Sequence, residues 1–182
     1  VWDRALSRYE ERYMKRHLQS FLELEASTNN EDLSAGLTFI PTEFELPFGW
    51  DESNPAFIDF GARRLRMRGM IDRVDISEAG RKFRIWDYKL GRSSHPSNTL
   101  KGTDFQLPVY IKAAANSLNI SNCERCGYIA IQKPAKPSGV AYEDPPANQV
   151  AVNEILNEAD SRIPKLVEQV TGGKFAVMPT DY

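Results

Sequence analysis

The sequence predicts an α/β fold, a central mixed sheet flanked by helices. Two patterns carry that expectation. Residues 3–26, 104–117 and 148–171 space their apolar side chains at helical intervals, and residues 37–49, 63–77 and 81–91 alternate apolar with polar in the manner of strands. The helical and strand segments are interleaved along the chain, which favours layers of helix on a mixed sheet over separate all-α and all-β parts.

The elements follow in order. In residues 3–26, Leu6, Tyr9, Tyr13, Leu18, Phe21 and Leu24 recur every three to five positions with charges between them, an amphipathic helix ended by the polar run ASTNNEDLSAG. LTFIPTEFELPFG (37–49) is a strand, and Pro41 fits either a sheet edge or an early kink. WDESNPAF reads as a loop. RRLRMRGMIDRVDIS (63–77) reads as one long strand, EAG as a tight turn, and RKFRIWDYKLG (81–91) as the antiparallel return strand. The polar stretch RSSHPSNTLKGTD leads to a helix carrying Phe105, Leu107, Tyr110, Ile111 and Ala114. CGYIAIQ is a further strand. KPAKPSGVAYEDPP holds a turn and a short strand limited by its prolines, and residues 148–171 form a last helix bent at Pro164.

With 182 residues the chain reads as a single domain, 1–182, with a real core. It begins at Val1 and reads as a piece of a longer protein. No run approaches the roughly 20 apolar residues of a membrane span, so no membrane partner is expected. Two cysteines, Cys123 and Cys126, are too few for a disulfide scaffold, and a reducing cytoplasm is the expected location. Net charge is −2, which excludes a generic polyanion binder. The charge is unevenly spread, however. Gly61 to Ala115 carries twelve basic and five acidic side chains. That basic centre fits a phosphate-binding surface and equally fits solvated strand faces with protected edges.

The chemistry concentrates in RIWDYKLG. On a strand, Phe83, Ile85, Asp87 and Lys89 share one face while Trp86 and Tyr88 share the other. Met70, Asp72 and Val74 share a face of the preceding strand, and a turn at 78–80 brings Asp72 close to Asp87. Two neighbouring carboxylates repel unless one takes a proton or a cation lies between them. Such hard oxygen ligands suit Mg²⁺ or Mn²⁺, which lowers the pKa of a bound water and polarises a phosphoryl oxygen. Lys89 would orient the water or stabilise developing negative charge. The same spacing also fits a plain cross-strand salt bridge.

GMIDRVD (69–75), WDYKLG (86–91) and QLPVY (106–110) together resemble the RecB/AddB-type nuclease domain of the PD-(D/E)XK nuclease superfamily. The upstream FIPTEFELPFG is similar to that family's strand P-x-x-x-E-x-x-F-G and picks out Glu45. The resemblance implies a restriction-endonuclease-like core and a divalent-metal-dependent DNase of recombination and double-strand-break repair. It implies Asp72 and Asp87 as metal ligands, with the Tyr88 backbone carbonyl and Glu45 as further candidates. Lys89 is implied as the catalytic lysine, with Gln106 and Tyr110 positioning it, the water or DNA. Arg73 either braces the hairpin or meets a phosphate, and Arg92 is a DNA-contact candidate. The implied partners are DNA, as single-stranded ends, and a helicase subunit or module.

The family's upstream G-T-x-x-H helix has no counterpart, since His17 lies in RHLQSFLELEA and reads as structural. An iron–sulfur cluster belongs to the expectation for a full-length protein, but Cys123 and Cys126 stand in the wrong place to hold it and read as ordinary thiols. His95 reads as a solvated loop residue, and Trp86 as core. Two rival readings remain. One is a non-catalytic DNA-binding or scaffold module that keeps the fold; the other is a CRISPR-associated or phage nuclease of the same superfamily.

Overall fold

The computed structural model describes residues 2–53, 55–90, 95–131 and 135–174. Its elements run α1 (Trp2–Ser34), β1 (Phe39–Phe48), β2 (Ala56–Phe60), β3 (Arg63–Met67), β4 (Gly69–Ser77), β5 (Lys82–Lys89), α2 (Ser97–Leu100), α3 (Gln106–Leu118), β6 (Asn122–Ala130), β7 (Lys136–Tyr142), β8 (Val150–Ala151) and α4 (Val152–Thr171). Six strands form one mixed sheet in the order β1-β4-β5-β6-β7-β8, and β2 and β3 form a separate hairpin. β4 runs antiparallel to both of its neighbours, β1 and β5, β6 joins β5 in parallel, and β7 returns antiparallel to β6. This is the expected α/β architecture, a restriction-endonuclease-like mixed sheet between helices.

Alternation along β4 and β5 divides the work of the two faces. One face of β5 presents Phe83 and Ile85, fully buried, to a core that also takes in Leu107, Ile111 and Ala114 of α3 and Ile155 and Ala159 of α4. Burial of each large aliphatic or aromatic side chain there contributes about 1.5–3 kcal/mol. Pro108 falls in the first turn of α3, where its missing N–H costs little. The helix ends at Asn119, whose φ of 55° is the left-handed cap that asparagine tolerates.

The opposite face is held by charge. Arg84 is 1% exposed; its Nη2 donates to Asp32 of α1 at 2.8 Å, and its Nε donates to Glu124 of β6. Arg73, also buried, donates to both Asp75 oxygens and to Glu25 of α1, and its Nη1 reaches the Tyr88 hydroxyl at 3.2 Å. Trp86 is buried as expected, with its indole N–H on Asp75 at 3.1 Å. Phe21 of α1 meets Tyr88 edge-on, with ring centroids 5.7 Å apart.

Several local expectations change. The first helix does not stop at residue 26; it continues to Ser34. Its last turn is anchored by Asp32 on Arg84, so a tertiary ion pair overrides the weak helix propensity of the polar run. The face toward the sheet is also more polar than expected: Ser20, Glu25 and Asp32 lie on it beside Phe21 and Leu24, while Tyr9, Tyr13 and Leu18 are exposed. Residues 63–77 are two strands that part at Arg68, because β3 pairs with β2 and β4 pairs with β1. Gly69 permits the change of partner, since a Cβ there would meet the Phe48 ring at 2.5 Å. The stretch read as a loop therefore contributes Ala56 and Phe57 to β2. α4 is one helix with Pro164 inside it, as the sequence places it, and it starts at Val152 rather than at 148.

Asp32→Ala leaves Arg84 buried with Glu124 alone. Chemical denaturation is expected to show a loss of about 3 kcal/mol, and the double variant Asp32→Leu/Arg84→Met a smaller loss than Asp32→Ala.

Candidate active site

β4 and β5 pair Arg73 with Trp86. One step further along the same register stand Asp72 and Asp87, whose side chains point to the α3 side, away from Arg73 and Trp86. Directly opposed residues of an antiparallel pair lie about 4.5–5.5 Å apart, and the Asp72 charge acts on Asp87. Asp72 is half-buried, and its Oδ2 accepts the Tyr88 backbone N–H at 2.8 Å. Tyr88 thus enters the site through its backbone, while its side chain lies on the far face with Arg73 and Phe21.

Asp87 is 2% exposed. Its Oδ1 accepts Gln106 Nε2 at 2.7 Å. Its Oδ2 lies 2.6 Å from Lys89 Nζ, a close ionic contact, yet it is buried without an aligned hydrogen-bond donor. Lys89 Nζ in turn donates to Gln106 Oε1 at 3.1 Å. Gln106 Nε2 also reaches the Tyr110 hydroxyl, one helical turn away, at 3.0 Å. The first turn of α3 therefore carries a side chain that touches the acid, the lysine and the tyrosine at once.

Two residues that the sequence reading did not single out hold this turn in place. Asp104 Oδ1 accepts the Gln106 backbone N–H at 2.9 Å, and its Oδ2 accepts the Tyr128 hydroxyl at 2.9 Å. Tyr128 sits opposite Asp87 in the parallel β5–β6 register, with Lys89 Nζ 5.5 Å from its ring centroid. An aspartate two residues before a helix is a start signal readable from sequence. Tyr128 had no such signal, because its place depends on the register of a parallel neighbour.

Burial raises the Asp87 carboxyl above its ordinary range; Lys89 opposes the rise, and the charges of Asp72 and Asp104 add to it. The Tyr110 phenol is likewise raised, first by burial, with the Gln106 hydrogen bond opposing.

The other candidates are dispersed. Glu45 stands on β1 beside Asp72, between the paired positions Phe44–Arg73 and Leu46–Ile71. It is exposed, and its φ of 50° is unusual for a non-glycine residue. Arg73 is committed to Asp75 and Glu25 on the far face, where it braces the hairpin against α1 and is not presented to a phosphate. Arg92 lies outside the described residues. His17 is half-buried on α1, its ring centroid 4.1 Å from that of Tyr13. His95 is exposed and bonded to Ser97. Cys123 and Cys126 are buried free thiols, and burial pushes the Cys123 thiol up, the wrong direction for a metal-ligating thiolate.

Among the described residues no group of three or more His, Cys, Asp and Glu gathers as a metal cage. The donor set fits a different kind of site. Mg²⁺ keeps several waters and is held by one or two carboxylates, and Asp87 offers a buried carboxylate whose Oδ2 has only the Lys89 ammonium against it, beside the half-buried Asp72. The residues present therefore fit such an ion at Asp72 and Asp87.

The fold is a mixed sheet with D…D-Y-K on an antiparallel hairpin and Q-L-P-V-Y on the helix that covers it. The family model of the PD-(D/E)XK nuclease superfamily matches residues 1–182, and the chain belongs to that superfamily. Members generally use Mg²⁺ or Mn²⁺, and the family points to DNA as substrate. No curated protein matches the chain. Among the described residues no helix is long and apolar enough to cross a membrane.

A carboxyl raised by the fold stabilises it only while protonated, and that contribution is lost as pH climbs through the folded value. Ionised Asp87 is thus a burden on the fold at neutral pH. Asp87→Asn is expected to melt above the wild type at pH 7, with the gap closing as pH falls toward about 4. Thermal melts across that pH range check this.

Proposed function

We propose that the chain is a divalent-metal-dependent deoxyribonuclease domain of the RecB/AddB type, which hydrolyses phosphodiester bonds in recombination and double-strand-break repair. In this reading it works beside a helicase subunit or module that delivers single-stranded ends, in the cytoplasm. The observation that carries the reading is the cluster Asp72, Asp87, Lys89, Gln106 and Tyr110 on one face, within a chain of the nuclease superfamily.

Asp72 and Asp87 would hold Mg²⁺ or Mn²⁺, which supplies an acidified water and neutralises charge on the phosphate. The chain's own groups do the rest. Lys89 has its ammonium fixed between Asp87 and Gln106, where it orients the attacking water and counters negative charge developing on phosphorus. Gln106 spends its amide on Asp87 and Tyr110 and its carbonyl on Lys89, so it fixes the lysine's pose. The Tyr88 backbone N–H holds Asp72 in place, and the Tyr88 carbonyl and Glu45 are the further ligand candidates at this end of the sheet. Tyr110, kept protonated by burial, can donate to substrate.

Labelled single-stranded DNA with Mn²⁺ provides the test. The wild type is expected to cleave it, Lys89→Ala to lose about 10²–10³-fold in rate, and Asp87→Ala to fall to background. In thermal melts, Mn²⁺ at about 100 times its dissociation constant should stabilise the wild type by about 2.7 kcal/mol and leave Asp87→Ala unchanged. Equal cleavage by all three proteins ends the catalytic assignment. Binding without cleavage by the wild type would favour the non-catalytic module.

A further inference from the structure

Next to the site lies a cleft of about 480 Å³, formed where β1 ends, between the β2–β3 hairpin and α3. That is within the range of about 300–1,000 Å³ common for ligand sites. Pro47, Phe48, Trp50, Phe57, Ala113 and Asn116 are among the residues that line it. Phe48 connects the two places: its ring meets the Tyr110 ring edge-on at 6.1 Å.

The rim of the cleft is aromatic, and arginines stand against its aromatic residues: Arg68 over Trp50, Arg64 over Phe57, and Arg66 paired across the hairpin with Phe57. Trp50 is 57% exposed, yet its indole N–H is pinned to the Gly69 carbonyl at 2.8 Å. An exposed tryptophan normally swings freely, whereas this one is fixed in place. Gly49 makes the fixation feasible. Its φ is +68°, and a Cβ there would lie 2.0 Å from the Met67 carbonyl oxygen, so only glycine lets the chain turn this close to β3. The Arg68 guanidinium lies 5.0 Å from the centroid of the Trp50 ring, and that of Arg64 lies 5.4 Å from the Phe57 ring. Of the nearby acids, Asp59 pairs with Arg64 at 3.6 Å and Asp51 accepts from Ser53, while Glu52 is exposed in the same loop. Arg63 is paired with Glu168. Arg66 and Arg68 are exposed and have no carboxylate partner among the described residues. Arg68 immediately precedes β4, about 13 Å along the chain from Asp72 at about 3.3 Å per residue.

We propose that this cleft is a binding subsite for single-stranded DNA, with a base stacked on Trp50 and the adjoining phosphates met by Arg66 and Arg68. Fixed exposed aromatics beside unpaired cations are the arrangement that single strands use, because every base has a π-face and every linkage a charge. Duplex DNA keeps its bases stacked internally and cannot offer one to Trp50. The subsite would hold the strand a short distance from the bond over Asp72 and Asp87, so this inference deepens the nuclease reading and rests on it for its setting.

Fluorescence anisotropy of a labelled single-stranded oligonucleotide, with the 182-residue chain in EDTA, separates binding from cleavage. Trp50→Ala is expected to weaken binding about tenfold, and Trp50→Phe by no more than about threefold. Arg66→Ala and Arg68→Ala should each reduce the slope of log K against log salt by about 0.7. An oligonucleotide of abasic sugars should bind the wild type about tenfold more weakly than one with bases and should not distinguish it from Trp50→Ala. Unchanged affinity in a Trp50→Ala protein of wild-type melting behaviour overturns the subsite. Equal wild-type affinity for abasic and normal strands also overturns it, and that measurement needs no variant to fold. Either result leaves hydrolysis at Asp87 standing. Loss of binding in Trp50→Ala, with a wild type that never cleaves, keeps the subsite and removes only the nuclease reading.

Discussion

The hairpin of β4 and β5 works because a strand has two faces and a register cannot slip by one without exchanging them. Arg73 pairs with Trp86, and this single registration sends Arg73, Asp75, Arg84, Trp86 and Tyr88 to one side and Asp72, Asp87 and Lys89 to the other. Both sides would be costly alone. Two carboxylates on a sheet need a cation or a proton between them, and buried guanidinium groups need carboxylates with good geometry. Each side specifies the register for its own reason, and both reasons agree. A one-residue slip would put Arg73 and Lys89 on the same side and would take either Arg73 from Glu25 or Arg84 from Asp32, according to which strand turned over.

The far face explains how a helix as polar as α1 docks at all. Phe21 and Leu24 offer limited apolar contact, and the rest of its sheet-facing side is Ser20, Glu25 and Asp32. Arg73 and Arg84 supply what the apolar contact does not. They also link α1 to the strand that bears Asp87 and Lys89, because Arg73 bonds Glu25 and the Tyr88 hydroxyl together while the Tyr88 backbone N–H holds Asp72. Displacing α1 would therefore be felt at Asp72 through a short covalent and hydrogen-bonded path.

Much of this was legible in the sequence, for physical reasons. Period-two alternation placed Asp87 and Lys89 on one face, and a three-residue turn set Asp72 near them. The four-residue step from Gln106 to Tyr110 put both on one side of a helix, as the bond between them shows. What was not legible depended on long-range partners. The polar run after residue 26 stays helical only because Arg84, 52 positions away, binds Asp32. The apolar spacing of Tyr9, Tyr13 and Leu18 promised a buried face that the structure leaves exposed. The break at Arg68 follows from β2, whose pairing no local pattern announced. Tyr128 became visible only once β6 was aligned in parallel with β5.

Gln106 and Asp104 show why the site has the stability it lacks on paper. Asp87 is buried, and burial raises its carboxyl above the ordinary range against the pull of Lys89, so its ionisation opposes folding. Left to itself, such a group would either protonate or turn outward to water. At neutral pH it is kept from turning outward, because the Gln106 amide holds Oδ1 and Lys89 stands against Oδ2. Gln106 could itself relax, but Asp104 fixes its backbone N–H and is fixed in turn by the Tyr128 hydroxyl. Tyr128 is 1% exposed on a central strand and has nowhere to move. The charged pair is thus held by a side chain, that side chain by a helix start, and the helix start by the core.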